Sequence, residues 1–156
     1  MSIIEKIKAS VENATGLPFY YDTPQTLNLR LDSATYPCAM LHIVSSGAVE
    51  DTNGILRERL TVELLFATTS SLDFDGVTVE RDELDALKRK AFQWLLAIMR
   101  SHDLRLVSNN GTSRYYATDD AIVSAYGVNV TLEEVAGVTY CQFPEDSDQE
   151  STESEG

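Results

Sequence analysis

The strongest hydrophobic pattern in the chain lies within residues 79–101. Apolar side chains recur there every three or four residues, which is the spacing of one face of an α-helix. These positions are Leu84, Leu87, Ala91, Leu95 and Ile98. Phe92, Trp94 and Met99 widen the apolar face to about half of the helix circumference, more than the arc of about 100° that packs on one sheet. We therefore expect two layers of this chain, or a neighbouring subunit, to cover this long central helix.

A second amphipathic helix is predicted at the N-terminus. Ser2 precedes Glu5 by three residues and stands just before two isoleucines, which is the arrangement of a capping box. Gly16 is typical of the left-handed residue that follows a helix. The apolar residues 17–21 then predict a short edge or connecting strand. For residues 24–31 two alternatives stay open, a short helical turn begun by a proline or a strand with alternating leucines.

Residues 38–45 form an apolar stretch that predicts a strand. Both of its faces are largely apolar, which is typical of a strand in the middle of a sheet. His42 is the exception, and we interpret it as a core or interface histidine rather than a catalytic one. Residues 47–54 follow as a predicted polar loop that carries Glu50 and Asp51.

Residues 55–67 show the clearest alternation of apolar and polar side chains, which predicts a long strand. Its polar face carries Arg57, Arg59 and Glu63. A typical strand has about five or six residues, so we expect this hairpin to project beyond the body of the sheet. The charged row is interpreted either as a solvated surface or as a row of contacts with a partner.

The chain after the central helix predicts further strands. Asn110-Gly111 is a strong hairpin signal, so residues 104–108 and 112–117 are expected to form two short strands joined by a turn. Residues 122–132 alternate again and predict a last long strand. Residues 135–143 are apolar enough to form a further strand segment.

Together these elements predict an α+β fold. A single, mostly antiparallel β-sheet of four to five strands is expected to pack on the long central helix, together with the N-terminal amphipathic helix. The chain of 156 residues fits one domain, which we place at residues 1–143. Residues 144–156 are acidic and serine-rich, so we expect them to form a disordered tail.

The chain is strongly acidic, with 25 Asp and Glu residues against 12 Lys and Arg residues and a net charge of −13. Nucleic-acid binding requires clustered basic residues, so this charge argues against a protein that grips DNA or RNA. An acidic wall would instead let DNA slide past it. No apolar run approaches the roughly 20 residues of a membrane span, and the N-terminus lacks the apolar core of a secretory signal. Cys38 and Cys141 are interpreted as buried free thiols, with an interstrand disulfide as the alternative.

The sequence shows no pattern typical of an active site, a metal site or a cofactor site. It has no glycine-rich phosphate loop and no zinc-type spacing of Cys and His. Asp73 and Asp75 lie in an Asp-Phe-Asp-Gly segment that lacks the remaining ligands of a calcium loop. Lys88 lies inside the apolar face of the central helix, where it either extends to the edge or pairs with a carboxylate of a neighbouring chain. We predict no catalytic residue, no metal, no cofactor and no enzymatic activity.

The order of elements and several short segments resemble the tail terminator, or tail-completion, proteins of long-tailed bacteriophages. The segments that carry the resemblance are Tyr36-Pro37, residues 47–54, Arg57-Glu58-Arg59-Leu60-Thr61-Val62, Phe92-Gln93-Trp94-Leu95 and Val128-Asn129-Val130-Thr131-Leu132-Glu133-Glu134. The resemblance covers residues 2–143 and leaves the acidic tail outside.

This resemblance implies a structural protein of a phage or prophage. Six copies would close into a ring on the tail tube, stop polymerisation of the tube protein and offer a face to the head connector protein. The ring would belong to the virion tail after assembly in the bacterial cytoplasm, and it would use head-to-tail contacts between unlike surfaces. Candidate contacts with neighbours or the lumen are Glu50, Asp51, Arg57, Arg59, Glu63, Asp73, Asp75 and Lys88. The alternatives are another neck or tail-tube component of the same fold, or an α+β binding module unrelated to phage.

Overall fold

A computed structural model describes residues 1–21, 34–70, 75–116 and 123–139 of the chain. Their elements, in chain order, are α1 (Ile3–Thr15), β1 (Phe19–Tyr21), β2 (Cys38–Glu50), β3 (Ile55–Thr69), α2, β4 (Leu104–Tyr115), β5 (Val123–Glu134) and β6 (Val138–Thr139). The helical element α2 runs without interruption through an α-helical turn (Gly76–Val79), a π-helical segment (Glu80–Leu84) and an α-helix (Asp85–Met99). The predicted α+β class is confirmed.

The strands form one mixed six-stranded sheet in the order β1–β2–β3–β5–β4, and β6 pairs with the first residues of β3. β1 runs parallel to β2, and the other pairings are antiparallel. The prediction of four to five strands was therefore too low. Four long antiparallel strands make up most of the sheet. The strands β1 and β6, with three and two residues, are too short to show a clear alternation of apolar and polar residues in the sequence.

Both helical elements pack against one face of the sheet. The side chains that β3 buries on this face are Leu60, Val62, Leu64 and Phe66. Trp94 of α2 is fully buried in the same core and donates a hydrogen bond from Nε1 to Ser10 Oγ of α1 at 2.9 Å. This bond satisfies the polar group of the indole and fixes α2 against α1.

The ends of α1 follow from its sequence. Ser2 Oγ accepts a hydrogen bond from the backbone N–H of Glu5 at 3.2 Å, which caps the first turn. Gly16 follows the helix with a φ of 71°, in the left-handed region that glycine adopts without strain. Ile7 and Val11 have no exposed surface, so the apolar face of α1 is buried. The predicted N-terminal amphipathic helix is confirmed.

The element α2 begins earlier and is less regular than the helix predicted over residues 79–101. Asp75 caps its first turn, because its carboxylate accepts hydrogen bonds from the Val77 N–H at 3.3 Å and the Thr78 hydroxyl at 3.0 Å. The π-helical segment of five residues then separates this turn from the 15-residue α-helix. The prediction of a long central helix is therefore only partly confirmed, although all five positions of its predicted apolar stripe are buried.

The strand predicted over residues 38–45 begins correctly but continues to Glu50. Residues 47–50 pair with β3, so the loop predicted over residues 47–54 was wrong and the turn is confined to residues 51–54. Only residues 38–41 are buried, and β2 lies next to the short edge strand β1 rather than in the middle of the sheet. An antiparallel strand tolerates polar residues where one face meets water, and for this reason the polar residues 47–50 were wrongly predicted to be part of a loop.

The hairpin predicted around Asn110-Gly111 was also wrong. Residues 104–115 form one strand, β4, which pairs with β5 along its length. Two register shifts, between Leu106 and Ser108 and between Asn109 and Gly111, accommodate the sequence within this strand. The long partner strand therefore overrides the local preference for a turn.

The predictions of the two long strands and of the last strand segment agree with the structure. β3 and β5 confirm the two long strands with clear alternation, and β6 confirms a strand segment within residues 135–143. Cys38 is a buried free thiol. Residues 24–31, Asp73, Cys141 and the acidic tail at residues 144–156 lie outside the described residues, so the predictions made for them stay predictions.

Candidate functional site

Polar side chains of three neighbouring strands meet on the sheet face that lies away from the helices, which we call the open face. Alternation along β3 places Arg57 and Arg59 on this face. Cross-strand pairing sets Glu133 of β5 opposite Arg59, and Arg105 of β4 opposite Glu133. The pairing register therefore brings two guanidinium groups to one carboxylate. We call Asp51, Arg57, Arg59, Arg105 and Glu133 the arginine–carboxylate cluster.

Glu133 is the buried centre of this cluster, with 3% of its surface exposed. Its Oε1 accepts a hydrogen bond from Arg59 Nη2 at 3.4 Å, and its Oε2 accepts one from Arg105 Nη2. A buried carboxylate is stable only when it is paired with positive charge and hydrogen-bonded. The two arginines provide this pairing while 34% and 64% of their side chains remain exposed, so both side chains also contact solvent.

Arg57 and Asp51 form the second ion pair of the cluster. Arg57 Nη1 donates to Asp51 Oδ2 at 2.6 Å, and Arg57 Nε donates to the carbonyl oxygen of Val135 at 3.1 Å. Asp51 Oδ1 also accepts from the backbone N–H groups of Asn53 and Ile55, which closes the turn between β2 and β3. The hydrogen bond from Arg57, followed by that from Ile55, holds the pKa of Asp51 below its ordinary value.

The cluster borders a cleft of about 380 Å³. Its lining residues are Val49, Asp51, Arg57, Arg59, Arg105, Glu133, Glu134 and Val135. Glu134 points to the other side of β5, where Lys6 of α1 donates to its Oε2 at 2.9 Å and neutralises its charge. Three guanidinium groups therefore face the carboxylates of Asp51 and Glu133, which leaves a small positive surplus in an acidic protein.

One buried donor of the cluster lacks a partner among the described residues. Arg59 Nε is buried, and no described residue accepts a hydrogen bond from it. A guanidinium group carries five N–H donors in a planar fork that matches a carboxylate or phosphate. Because Arg59 Nε is itself buried, an anionic oxygen ligand in the cleft would meet the other N–H groups of Arg59 and Arg105.

The structure brings together three of the residues predicted as contacts. Asp51, Arg57 and Arg59 meet in the cluster, whereas the exposed Glu50 ends β2 and does not line the cleft. Glu63 lies further along the open face, where the Tyr115 hydroxyl donates to its Oε2 at 2.8 Å. Burial, then this hydrogen bond to a carboxylate, raises the pKa of Tyr115.

The other predicted contacts lie on or beside α2, apart from the cluster. Asp75 caps the first turn of α2, as described above. Lys88 Nζ lies 3.9 Å from Asp85 Oδ1 and 5.9 Å from the centre of the Phe92 ring. Asp73 is outside the described residues.

Arg105 and Glu133 were missed by the sequence predictions. Glu133 occupies a polar position at the end of an alternating strand. This alternation predicts on which face of the sheet a side chain lies, but not which residue it contacts. The pairing of two residues 28 positions apart depends on the register of β4 against β5, which includes two shifts. The only strand register that the sequence predicted was that of the hairpin around Asn110-Gly111, and that hairpin does not form.

Comparison with known proteins adds no family. No protein-family model matches the chain, and no curated protein sequence matches it. Within the described ranges, no group of three or more His, Cys, Asp or Glu side chains could hold a metal ion. No helix in the described part of the chain is long and apolar enough to cross a membrane.

Proposed function

We propose that this chain is a structural protein of a bacteriophage or prophage tail, a tail terminator that caps the tail tube as a ring. The ring stops polymerisation of the tube protein and joins the tail to the head connector protein. Six copies form it, in the virion tail, after assembly in the bacterial cytoplasm. The proposal rests on the resemblance of residues 2–143 to tail terminator proteins and on one surface of the fold.

That surface is the outer side of α2, and it is the observation that carries the proposal. Phe92, Leu96 and Met99 lie at i, i+4 and i+7, so they form one stripe along the helix. Their exposed fractions are 44%, 52% and 66%. We call these three residues the α2 stripe. Large adjacent apolar side chains left in water are typical of a surface that a partner covers.

The outer strand β4 supports the proposal as a second surface of a different kind. It is 12 residues long, and among the described residues only β5 pairs with it. An unpaired strand edge presents backbone donors and acceptors to any chain that approaches it. Two unlike surfaces on one molecule are what a head-to-tail ring requires, since each copy then uses one surface toward each neighbour.

The charge of the chain is compatible with a passage for DNA. A net charge of −13 gives the protein a field that repels phosphate groups. DNA would therefore move through the lumen without being held by specific contacts.

Electron microscopy of phage particles that lack this protein tests the proposal. We expect tails that are longer than normal or that carry no head, and normal particles when the full chain is supplied again. Tails of normal length joined to heads would contradict it. Absence of tails altogether would instead favour the alternative role, a component of the tube itself.

A further inference from the structure

The hairpin of β2 and β3 projects beyond the helices that cover the rest of its inner face. Leu56, Glu58 and Leu60 occupy alternate positions on β3, so all three lie on the side of the sheet where the helices pack. Leu60 is buried, with 3% of its surface exposed, whereas 41% of Leu56 is exposed and Glu58 is exposed as well. Among the described residues, the helical cover therefore ends between Leu60 and Leu56.

A second, open cleft of about 840 Å³ lies on this uncovered part of the hairpin, and its surface is largely apolar. Leu56 pairs with Val138 of β6, so two apolar side chains stand side by side, and 36% of Val138 is exposed. Ala48, which pairs with Glu58, and Met1, beside the start of α1, also line this cleft. We call Ala48, Leu56, Glu58 and Val138 the hairpin cleft.

The charges around the hairpin cleft leave a negative surplus. Its two basic side chains are already paired, Lys6 with Glu134 and Arg57 with Asp51. Glu58 lies on the apolar side of β3, and Glu50 stands opposite Leu56 at the end of β2. Both carboxylates are exposed, and neither forms an ion pair with a described residue. An apolar group with positive charge beside it therefore suits this surface.

The α2 stripe is an apolar group of this kind. Its basic neighbours on the helix are Lys88, Arg89 and Arg100. Among the described residues only Asp85 pairs with any of them, at 3.9 Å from Lys88 and 3.0 Å from Arg89. Contact of two stripes with each other would bring like charges together, which disfavours it. A strand edge offers backbone hydrogen bonds rather than cover for apolar side chains, so the stripe needs an apolar counterpart.

The stripe and the hairpin cleft lie too far apart to meet within one chain. The ring of Phe92 contacts that of Tyr126 edge-on, with 6.3 Å between the ring centres, and Tyr126 pairs with Phe66 of β3. Leu56 lies ten residues before Phe66 on the same strand, a distance of roughly 33 Å. Phe92 therefore cannot enter the hairpin cleft of its own chain, and the contact requires a second copy.

We propose that the α2 stripe of one copy packs in the hairpin cleft of a second copy, with the basic neighbours of the stripe beside Glu50 and Glu58. The contact removes apolar side chains of both copies from water and pairs charges that are exposed in the single chain. Because the two surfaces are unlike, each copy offers one of each and the assembly grows head to tail. The inference rests on the self-assembly in the proposed function, but it does not require that the assembly caps a phage tail.

Cross-linking between two copies tests this contact. All variants are made in a Cys141→Ala background, in which the remaining native thiol, Cys38, is buried. One protein carries M99C on the α2 stripe, and a second protein, distinguished by an added tag, carries L56C in the hairpin cleft. A short bismaleimide joins two thiols only when they come close together, so it also captures a weak contact. V138C provides a second position in the cleft if L56C unfolds.

We expect the mixture of M99C with L56C to form a cross-linked product, and each variant alone to form little. Q93C, at an exposed position of the same helix outside the stripe, is the matched control and should not cross-link to L56C. Adding E58K to the L56C protein should lower the yield about two- to fivefold, the effect of losing an exposed ion pair. Adding R100E to the M99C protein should then restore the yield.

Four results would overturn the proposal. A product from M99C alone would show that two stripes contact each other. Equal yields with M99C and Q93C would show collision without a specific contact. An unchanged yield with E58K would show that the carboxylates of the cleft do not select the stripe. Absence of product with both L56C and V138C would show that the stripe binds elsewhere, and overlong tails in particles without the protein would still support the tail proposal in that case.

Discussion

Arg59 and Glu133 face each other across the pairing of β3 with β5, with Arg59 Nη2 3.4 Å from Glu133 Oε1. The pair is unequal, because the Glu133 side chain is 4% exposed and the Arg59 side chain is 34% exposed. A guanidinium group without its partner can turn to solvent, whereas a buried carboxylate without its partner cannot. The carboxylate therefore depends on the arginine more than the arginine depends on the carboxylate.

This asymmetry predicts that the two partners tolerate substitution differently. Arg59→Met should lower the free energy of unfolding by about 1–3 kcal/mol, because it removes one of two charges that compensate a buried carboxylate. Glu133→Gln should cost less, about 1 kcal/mol, since the arginines remain partly hydrated. Urea unfolding measures both values. Glu58→Gln, at an exposed position of the same strand, is the control and should change stability by less than about 0.5 kcal/mol.

An Arg59→Met variant that is no less stable than Glu133→Gln would contradict the description of Glu133 as the buried, dependent partner. Equal losses in Arg59→Met and Glu58→Gln would further show that Arg105 alone satisfies the carboxylate.

A second prediction concerns Gly137, which precedes β6. A Cβ on this residue would lie 2.4 Å from Ile55 Cγ2 and 2.8 Å from the backbone oxygen of Leu56. The backbone oxygen cannot move aside cheaply, so Gly137→Ala should displace β6 from β3 and cost about 1–3 kcal/mol. Urea unfolding gives the cost, and hydrogen exchange at Ile55 and Leu56 reports the loss of strand pairing.

Gly47→Ala is the matched control for this substitution. Gly47 also belongs to a strand beside β3, and a Cβ there would meet no atom within 4 Å. We expect this variant to be as stable as the wild type or slightly more stable, because alanine reduces the entropy of the unfolded chain. Equal stability of the two alanine variants would show that β6 is not held against β3 in the way described.

The sequence predicted those elements whose signal is local. The cap of α1 at Ser2 and the alternation along β3 depend on residues within a few positions, and both predictions are confirmed. Asn110-Gly111 is equally local, but its preference for a turn lost to pairing along the whole of β5. The contact of Arg105 with Glu133 had no local signal, since it exists only after the register of β4 is set.

A third prediction concerns pH and Cys38. Burial raises the pKa of its thiol to about 12, whereas the thiol in an unfolded chain has a pKa of about 8.5. Below the unfolded value both states hold the proton, and the contribution of the buried thiol to stability is complete. Above it only the unfolded state releases the proton, so stability is lost as the pH rises toward the folded pKa. Stability should therefore fall between about pH 9 and pH 12.

Urea unfolding at pH 8 and pH 10 checks this dependence in a Cys141→Ala background, in which only one thiol titrates. Cys38→Ala in the same background is the control for all other groups, including Tyr115, whose pKa is also raised. The loss of stability from pH 8 to pH 10 should be smaller in the variant without Cys38. Equal losses in both proteins would mean that the Cys38 thiol ionises in the folded state.

The last prediction concerns the α2 stripe. Leu96→Glu together with Met99→Glu should leave the isolated chain folded, because both side chains are more than half exposed. If a neighbouring subunit covers the stripe, two charges there must be desolvated in the assembled ring, which strongly disfavours assembly. Supplying the variant to particles that lack the protein should therefore fail to restore tails of normal length, as judged by electron microscopy. Gln93→Glu adds a charge at an exposed position of the same helix outside the stripe and should restore them. Full restoration by the double variant would show that the α2 stripe stays in water after assembly, and the surface on which the tail proposal depends would then have no partner.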